Sequence, residues 1–180
     1  MAKIEVLASS ENQNWVTPSE IFDPLNEEFD FCLDAAATVW VRKCNPYFGP
    51  DHMRPELRDA LQVNWFDYVK TRVAPGHKAV WTWVNPPYGR TVGRWLRKAY
   101  IESIRGLGVV MFVYARTDTL WFHDYCMKAA EIRFLKGRVK FLDPITLTPA
   151  AAGATAGHMA VIFRPGHIGP PKFSTWNWKA

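Results

Sequence analysis

A chain of 180 residues with 48% apolar and 22% charged residues has the makeup of one globular domain with a sizeable core, spanning 1–180, and is too short to add a separate recognition domain of ordinary size. Lys and Arg number 22 against 17 Asp and Glu, a formal charge of +5 that favours a polyanionic partner, although an acidic protein would also fit. Cys32, Cys44 and Cys126 are odd in number, widely spaced and free of any C-x-x-C pair, which argues against a disulfide framework and a zinc site and implies a reducing cytosol. No apolar stretch approaches membrane-spanning length, and residues 1–7 lack the apolar core of a signal peptide, so a soluble, cytoplasmic protein is expected.

The first element is signalled by Thr17-Pro18-Ser19-Glu20: Thr17 as N-cap, Pro18 at the first helical position, Glu20 closing a capping box, with Ile21 and Leu25 on one face. Phe29-Asp30-Phe31-Cys32-Leu33 then reads as a strand that delivers Asp34 and three alanines at its end. A turn-rich stretch from Asn45 to Pro55 precedes a short helical segment from Pro55 to Gln62. After a loop containing Ala74-Pro75-Gly76, the apolar run Ala79-Val80-Trp81-Thr82-Trp83-Val84 is a buried strand that feeds Asn85-Pro86-Pro87-Tyr88. Val92, Trp95, Leu96 and Ala99 recur at helical spacing, leaving Arg90, Arg94 and Lys98 together on another face.

Gly108 to Tyr114 is a second continuous apolar strand, and Asp118 can cap a helix whose buried stripe is Trp121, Phe122, Tyr125, Cys126 and Ala129. Glu131 to Leu135 and Val139 to Leu142 flank Lys136-Gly137-Arg138 as a hairpin, and Met159 to Arg164 is a last apolar strand, so these three are expected to form a largely antiparallel edge. Residues 143–157 are too many for a plain hairpin turn and are therefore mobile or functional. The tail after Pro165 has no clear period, and there is no internal repeat. Helices alternating with continuous apolar strands predict an α/β sandwich with a mainly parallel sheet, whose ligands sit beyond the carboxyl ends of the strands. Asp34 and Asn85 both fall at such ends.

Asn85-Pro86-Pro87-Tyr88 carries the sharpest chemical signal. An exocyclic amine on a planar ring is a poor nucleophile because its lone pair is delocalised into the ring. The Asn85 carboxamide oxygen and the Pro86 carbonyl can each accept one N–H, drawing the nitrogen toward tetrahedral geometry and aiming its lone pair at a methyl donor. Pro86 and Pro87 each fix their own φ, and Pro87 also holds Pro86 extended, so the acceptor pair is stiff before substrate arrives. Tyr88 offers a ring for stacking on a base. Asn-Pro-Pro also simply ends strands in many proteins, but here a buried strand precedes it and a helix follows, the context that the chemical version needs.

Other residues leave two readings each. Asp34, with small alanines behind it, suits an ammonium or hydroxyl group of a cofactor, or else caps an alanine helix. Arg90, Arg94 and Lys98 sit where phosphates flanking a flipped base would lie, or form a solvated helix face. Arg116 and Asp118 position substrate, or Asp118 is an N-cap; Lys136, Arg138 and Lys140 grip nucleic acid, or decorate a tight turn at Gly137. The five histidines show neither metal-ligand spacing nor a nucleophile partner and read as surface or packing residues, so no metal is expected. The lack of a glycine-rich phosphate loop weighs against nucleotide hydrolysis.

The series Trp15-Val16-Thr17-Pro18, Leu33-Asp34-Ala35-Ala36-Ala37, Asn45, Asp59-Ala60-Leu61, Trp65, Asn85-Pro86-Pro87-Tyr88-Gly89, Arg116-Thr117-Asp118-Thr119 and Gly137-Arg138-Val139-Lys140-Phe141 resembles, in order and spacing over about residues 15–164, the phage-type DNA N-6-adenine methyltransferase family. The resemblance implies a Rossmann-like, three-layer class I fold that uses S-adenosylmethionine and acts on DNA by flipping its target base, in the cytoplasm of a host cell where the protein is phage-encoded. It also implies that Asn85, Pro86, Pro87 and Tyr88 are the amino-methylation motif. Trp15, Thr17 and Pro18 would border the methionine end of the cofactor, Asp34 and Ala35 would lie on it, and Asp59 with Leu61 would meet its adenine. Leu33 to Ala37 lacks the glycines usual in the cofactor loop of such folds. Amines of an RNA base or a protein glutamine pose the same electronic problem, and a catalytically idle DNA-binding module would keep the same fold. The basic charge favours nucleic acid over protein, and the intact four-residue motif argues against an idle module.

Overall fold

In the computed structural model, which describes residues 15–72 and 80–179, the strands are β1 (Phe31–Asp34), β2 (Trp81–Val84), β3 (Gly108–Tyr114), β4 (Glu131–Leu135), β5 (His158–Phe163) and β6 (Lys172–Trp176). They form one mixed sheet in the order β1-β2-β3-β5-β4-β6. β1, β2 and β3 run parallel, β5 is antiparallel to both of its neighbours, and β6 lies parallel to β4. Among the described residues four α-helices accompany the sheet: α1 (Ser19–Phe29), α2 (Trp65–Lys70), α3 (Val92–Ile104) and α4 (Leu120–Asp124).

The apolar run of β3 is continuous because both of its faces are covered. Val109, Met111 and Val113 join a core with Trp65 of α2, Val92, Leu96 and Ala99 of α3, and Phe122 of α4. Val110 and Phe112, pointing the other way as strand alternation requires, join Ile21, Phe22, Leu25 and Phe29 of α1 with Trp81 and Trp83. Close packing explains the glycine that opens β3: a Cβ on Gly108 would stand 2.3 Å from the Trp81 ring. The sheet is thus mixed α/β and carries helices on both faces.

Several expected elements take another form. α1 begins at Ser19, with Pro18 as its N-cap, and neither Thr17 nor Glu20 makes a capping bond; the Pro18 carbonyl accepts from Ile21 and Phe22 instead. The segment at 55–62 shrinks to a single 3-10 turn, Pro55–Leu57, while the unforeseen α2 starts behind Asn64, whose side chain accepts from the Asp67 N–H at 3.1 Å. Thr119 occupies the N-cap position of α4, so Asp118 is no cap. Val139–Leu142 is not a strand: Leu142 makes only isolated bridges, to Val16 and Pro149. β4 is paired by β6 instead, and that strand comes from the stretch expected to be a tail. The edge is antiparallel where β5 pairs with β3 and with β4, and parallel where β6 pairs with β4. The loop at Ala74-Pro75-Gly76, Ala79, His77 and residues 1–7 lie outside the described residues. Among the described residues no helix is long and apolar enough to cross a membrane.

Glu102 of α3 is fully buried, its carboxylate bound to the Lys98 ammonium at 2.7 Å and to the Phe66 N–H at 3.0 Å, with the Arg105 guanidinium 3.4 Å away. One acid thereby joins α3 to the start of α2. Removing it strands a buried N–H and the Lys98 charge together, a loss that ordinary surface substitutions do not produce. Glu102→Ala is expected to cost about 3 kcal/mol in urea unfolding; a loss below about 1 kcal/mol would show that the cluster contributes little.

Candidate active site

Parallel pairing of β1 with β2 sets Asp34 beside Trp83, and the Ala35 N–H donates to the Trp83 carbonyl at 3.0 Å, so the two strand ends stand side by side. Asp34 is almost wholly buried. Its oxygens accept from the Ala36 N–H at 3.3 Å and the Lys43 N–H at 2.9 Å, while its own carbonyl accepts from Phe48 at 2.9 Å. Burial pushes its pKa up from 3.8 to about 6, against the pull of those two N–H groups and of the Lys43 charge. The carboxylate therefore organises the loop from Ala36 to Phe48, and Ala35 is likewise sealed in the core. The family resemblance implies that both residues lie on the cofactor; in the structure Asp34 is bound into the loop beside the strand end and Ala35 is buried.

Ala36, Ala37 and Thr38 of that loop form one wall of an open cleft of about 630 Å³, counting its mouth. Arg58, Asp59 and Ala60 line it from the next loop, Trp15 from the segment before α1, and Asn85 and Pro87 from the end of β2. Its loops approach so closely that a Cβ on Gly49 would fall 1.6 Å from the Ala37 carbonyl oxygen. Asp59 faces the cleft after closing a turn on the Leu61 N–H at 3.0 Å, whereas Leu61 packs toward the core. Thr17 and Pro18 are buried at the start of α1, and the Thr17 hydroxyl is enclosed without a hydrogen-bond partner.

Asn85 is held at both ends of its carboxamide. Nδ2 donates to the Trp15 carbonyl at 3.2 Å, and Oδ1 accepts from the Tyr88 hydroxyl at 3.0 Å. Pro86 is buried between them. The Tyr88 ring packs on Tyr114, Phe141 and His158, at centroid distances of 4.6, 5.8 and 5.8 Å, and its hydroxyl lies 3.2 Å from His158 Nε2. Burial raises the Tyr88 pKa well above its usual value and pushes that of His158 down to about 3, so both stay neutral. His158, read from the sequence as a packing or surface residue, thus touches the motif directly. A lone histidine beginning a strand gives no signal of this, because the contact arises only from the insertion of β5 beside β3.

The basic residues divide. Lys98 is engaged with Glu102 and overlies the Trp65 ring, so it does not join Arg90 and Arg94, which are exposed. Its expected place among phosphate-binding residues is corrected by that buried carboxylate. Arg116 is exposed with its guanidinium 5.8 Å from the Tyr114 ring, and Arg138 is exposed and near enough to His158 for its charge to disfavour a proton there. These two flank the aromatic cluster around Tyr88.

The family model described as DNA N-6-adenine-methyltransferase (Dam) matches residues 5–179, nearly the whole chain. No individually curated protein matches it significantly.

The buried carboxyl has a pH signature. Asp34 is protonated more readily in the fold, near pH 6, than in the unfolded chain, near 3.8, so its contribution to stability is full below the lower value and is lost as pH rises through the upper one. Asp34→Asn removes this titration. The stability of the Asn variant relative to the native protein should therefore rise between about pH 4 and pH 7, by up to about 3 kcal/mol, in thermal or urea unfolding. A difference that stays flat with pH would overturn the buried-carboxyl account; any constant offset from the amide cancels.

Proposed function

Because the chain belongs to the DNA N-6-adenine-methyltransferase (Dam) family, whose substrate is DNA and whose reaction is methyl transfer, we propose that its cleft binds S-adenosylmethionine and that Asn85 and Pro86 present the N6 amine of a flipped adenine to it. The observation that carries this reading is the Asn85 carboxamide, fixed at a strand end on the wall of the cleft and held by the Trp15 carbonyl at Nδ2 and the Tyr88 hydroxyl at Oδ1. We also read the sheet as a Rossmann-like class I arrangement in a single domain. The reversal of one strand, β5, within an otherwise parallel sheet supports that reading.

The residues fit the cofactor. A buried hydroxyl without a partner, that of Thr17, follows closely on Trp15, which lines the cleft. Trp15, Thr17 and Pro18 would hold the methionine end. Asp59 would meet the adenosine end with its carboxylate, Leu61 would act through the turn that Asp59 closes, and Asp34 and Ala35 would shape the wall at Ala36. S-adenosylmethionine supplies a methyl group made electrophilic by its sulfonium.

The chain's own contribution is to the amine. Asn85 Oδ1 has a second lone pair free of Tyr88, and with the Pro86 carbonyl it takes both amine hydrogens, localising the nitrogen lone pair toward the cleft. Pro87 stiffens the pair. Tyr88, half-buried among Tyr114, Phe141 and His158, would border the base. Arg90, Arg94, Arg116 and Arg138 take phosphates on either side of the displaced nucleotide. No covalent enzyme intermediate is needed.

Labelled S-adenosylmethionine offered with duplex DNA, RNA and protein, followed by digestion of the product, should give N6-methyladenine from DNA; label only in RNA or in glutamine would sink the proposal. Asn85→Ala should lower turnover by about 10²–10³-fold or more while cofactor affinity measured by calorimetry changes only a few-fold. Unchanged turnover would remove Asn85 from the mechanism.

A further inference from the structure

β5 runs against β3 so that its first residue, His158, pairs with Tyr114, and this brings Nε2 to the Tyr88 hydroxyl. The direction of every hydrogen bond in the resulting chain follows from the chemistry of its atoms. Asn85 Nδ2 can only donate, and it donates to the Trp15 carbonyl, which turns Oδ1 toward Tyr88. Oδ1 can only accept, so the single Tyr88 proton is committed to it. The Tyr88 oxygen is then left to accept from His158. A neutral imidazole has one N–H, and this chain of bonds places it on Nε2; Nδ1 is then left bare, a buried atom with no hydrogen bond of ordinary geometry, although the nearby Ala156 carbonyl favours a proton on the ring.

We propose that His158 is a positioning residue for methyl transfer: by donating Nε2–H to Tyr88 it commits the Tyr88 proton to Asn85 Oδ1 and so holds the carboxamide in the one orientation that offers an acceptor to the amine. This rests on Asn85 being the amine acceptor, as proposed above. The error that His158 prevents is specific. If the Tyr88 proton turned away, the Asn85 amide could flip and would point Nδ2–H at an amine that is itself a donor. His158 does this from a rigid setting, stacked on Phe112 at 5.1 Å and 18° and edge-on to Phe141 at 5.1 Å.

The test compares His158→Phe, which keeps a ring in the aromatic cluster but has no donor, with His158→Gln, which can return an amide N–H near the Nε2 position. Phe should lower kcat for N6-methyladenine formation by about tenfold, one hydrogen bond's worth of orientation. KM for DNA and cofactor affinity should stay within about twofold. Gln should restore most of the loss. In a Tyr88→Phe background His158→Phe should add nothing, because the hydroxyl through which it acts is gone. Wild-type kcat in His158→Phe, no recovery with Gln, or an equal further loss in the Tyr88→Phe background would each overturn the proposal. A reading independent of turnover, and of whether the Phe variant folds, comes from ¹⁵N NMR of the native protein: the His158 proton should be on Nε2, and a proton on Nδ1 would overturn the chain. If the native protein methylated no DNA while the Nε2–H form was seen, the failure would lie with the proposed function and the hydrogen-bond chain would stand.

Discussion

The carboxamide of Asn85 is pinned from both sides, and the segments that hold it reach far along the chain. Trp15, 70 residues before it, holds Nδ2, and Tyr88, leaning on His158 a further 70 residues on, holds Oδ1. An asparagine side chain without such partners would exchange its oxygen and nitrogen ends by rotation, and an acceptor would become a donor. The position of an acceptor at this strand end therefore depends on three segments meeting: the entry to α1, the end of β2 and the start of β5. Much of the fold can be understood as what brings those segments together. α1 packs on the face of Trp81 and Trp83, which carries Trp15 toward the end of β2. β3, enclosed on both sides, gives β5 the ladder along which His158 finds its register.

Reversal of β5 has a geometric consequence. In a parallel sheet every strand begins at the edge opposite the ligand-binding ends, and only side chains at strand ends reach those ligands. A reversed strand begins at the ligand edge. His158 is the first residue of β5 and stands opposite Tyr114, the last of β3, so the reversal adds a strand-start residue to a site otherwise built from strand ends. The same reversal puts Tyr114, Phe141 and His158 around Tyr88, an apolar enclosure in which each hydrogen bond is stronger and each missing partner more costly than in water.

What was legible in the sequence was what burial writes there. β3 coincides with its apolar run because a strand covered on both faces leaves an unbroken pattern, β4 coincides with Glu131 to Leu135 on a mixed apolar and charged pattern, and the stripe of α3 is legible because one helix face must be apolar. The motif at Asn85 is legible for a different reason: proline restricts the backbone locally, whatever the fold. Features decided by distant contacts were not legible. Whether Thr17 caps a helix depends on where the chain enters it, and the residue lies buried with its hydroxyl alone. Val139–Leu142 has a strand's composition but loses the place beside β4 to β6, a short strand with half-exposed alternation that looks like a tail. Asp34 was correctly placed at a strand end, yet whether a carboxylate faces a cleft or folds a loop over itself depends on Ala36 and Lys43 turning back toward it.

Charge followed the same logic. Arg90, Arg94 and Lys98 recur at helical spacing, and spacing alone treats them alike, but a buried Glu102 one turn along from Lys98 captures its ammonium. A buried carboxylate demands a partner far more strongly than a mobile polyanion in water can compete for one. Lysine is therefore committed to the core, and the arginines are left for the surface. Two of these come from different loops, Arg116 from that between β3 and α4 and Arg138 from that after β4, and both lie near the Tyr88 cluster. Guanidinium groups suit such a place because they can lie against aromatic rings and still offer paired donors to a phosphate. The net charge of +5 says only that the chain is basic; it is the burial of Glu102 that ties up Lys98, and the course of the loops that leaves Arg116 and Arg138 exposed near the Tyr88 cluster.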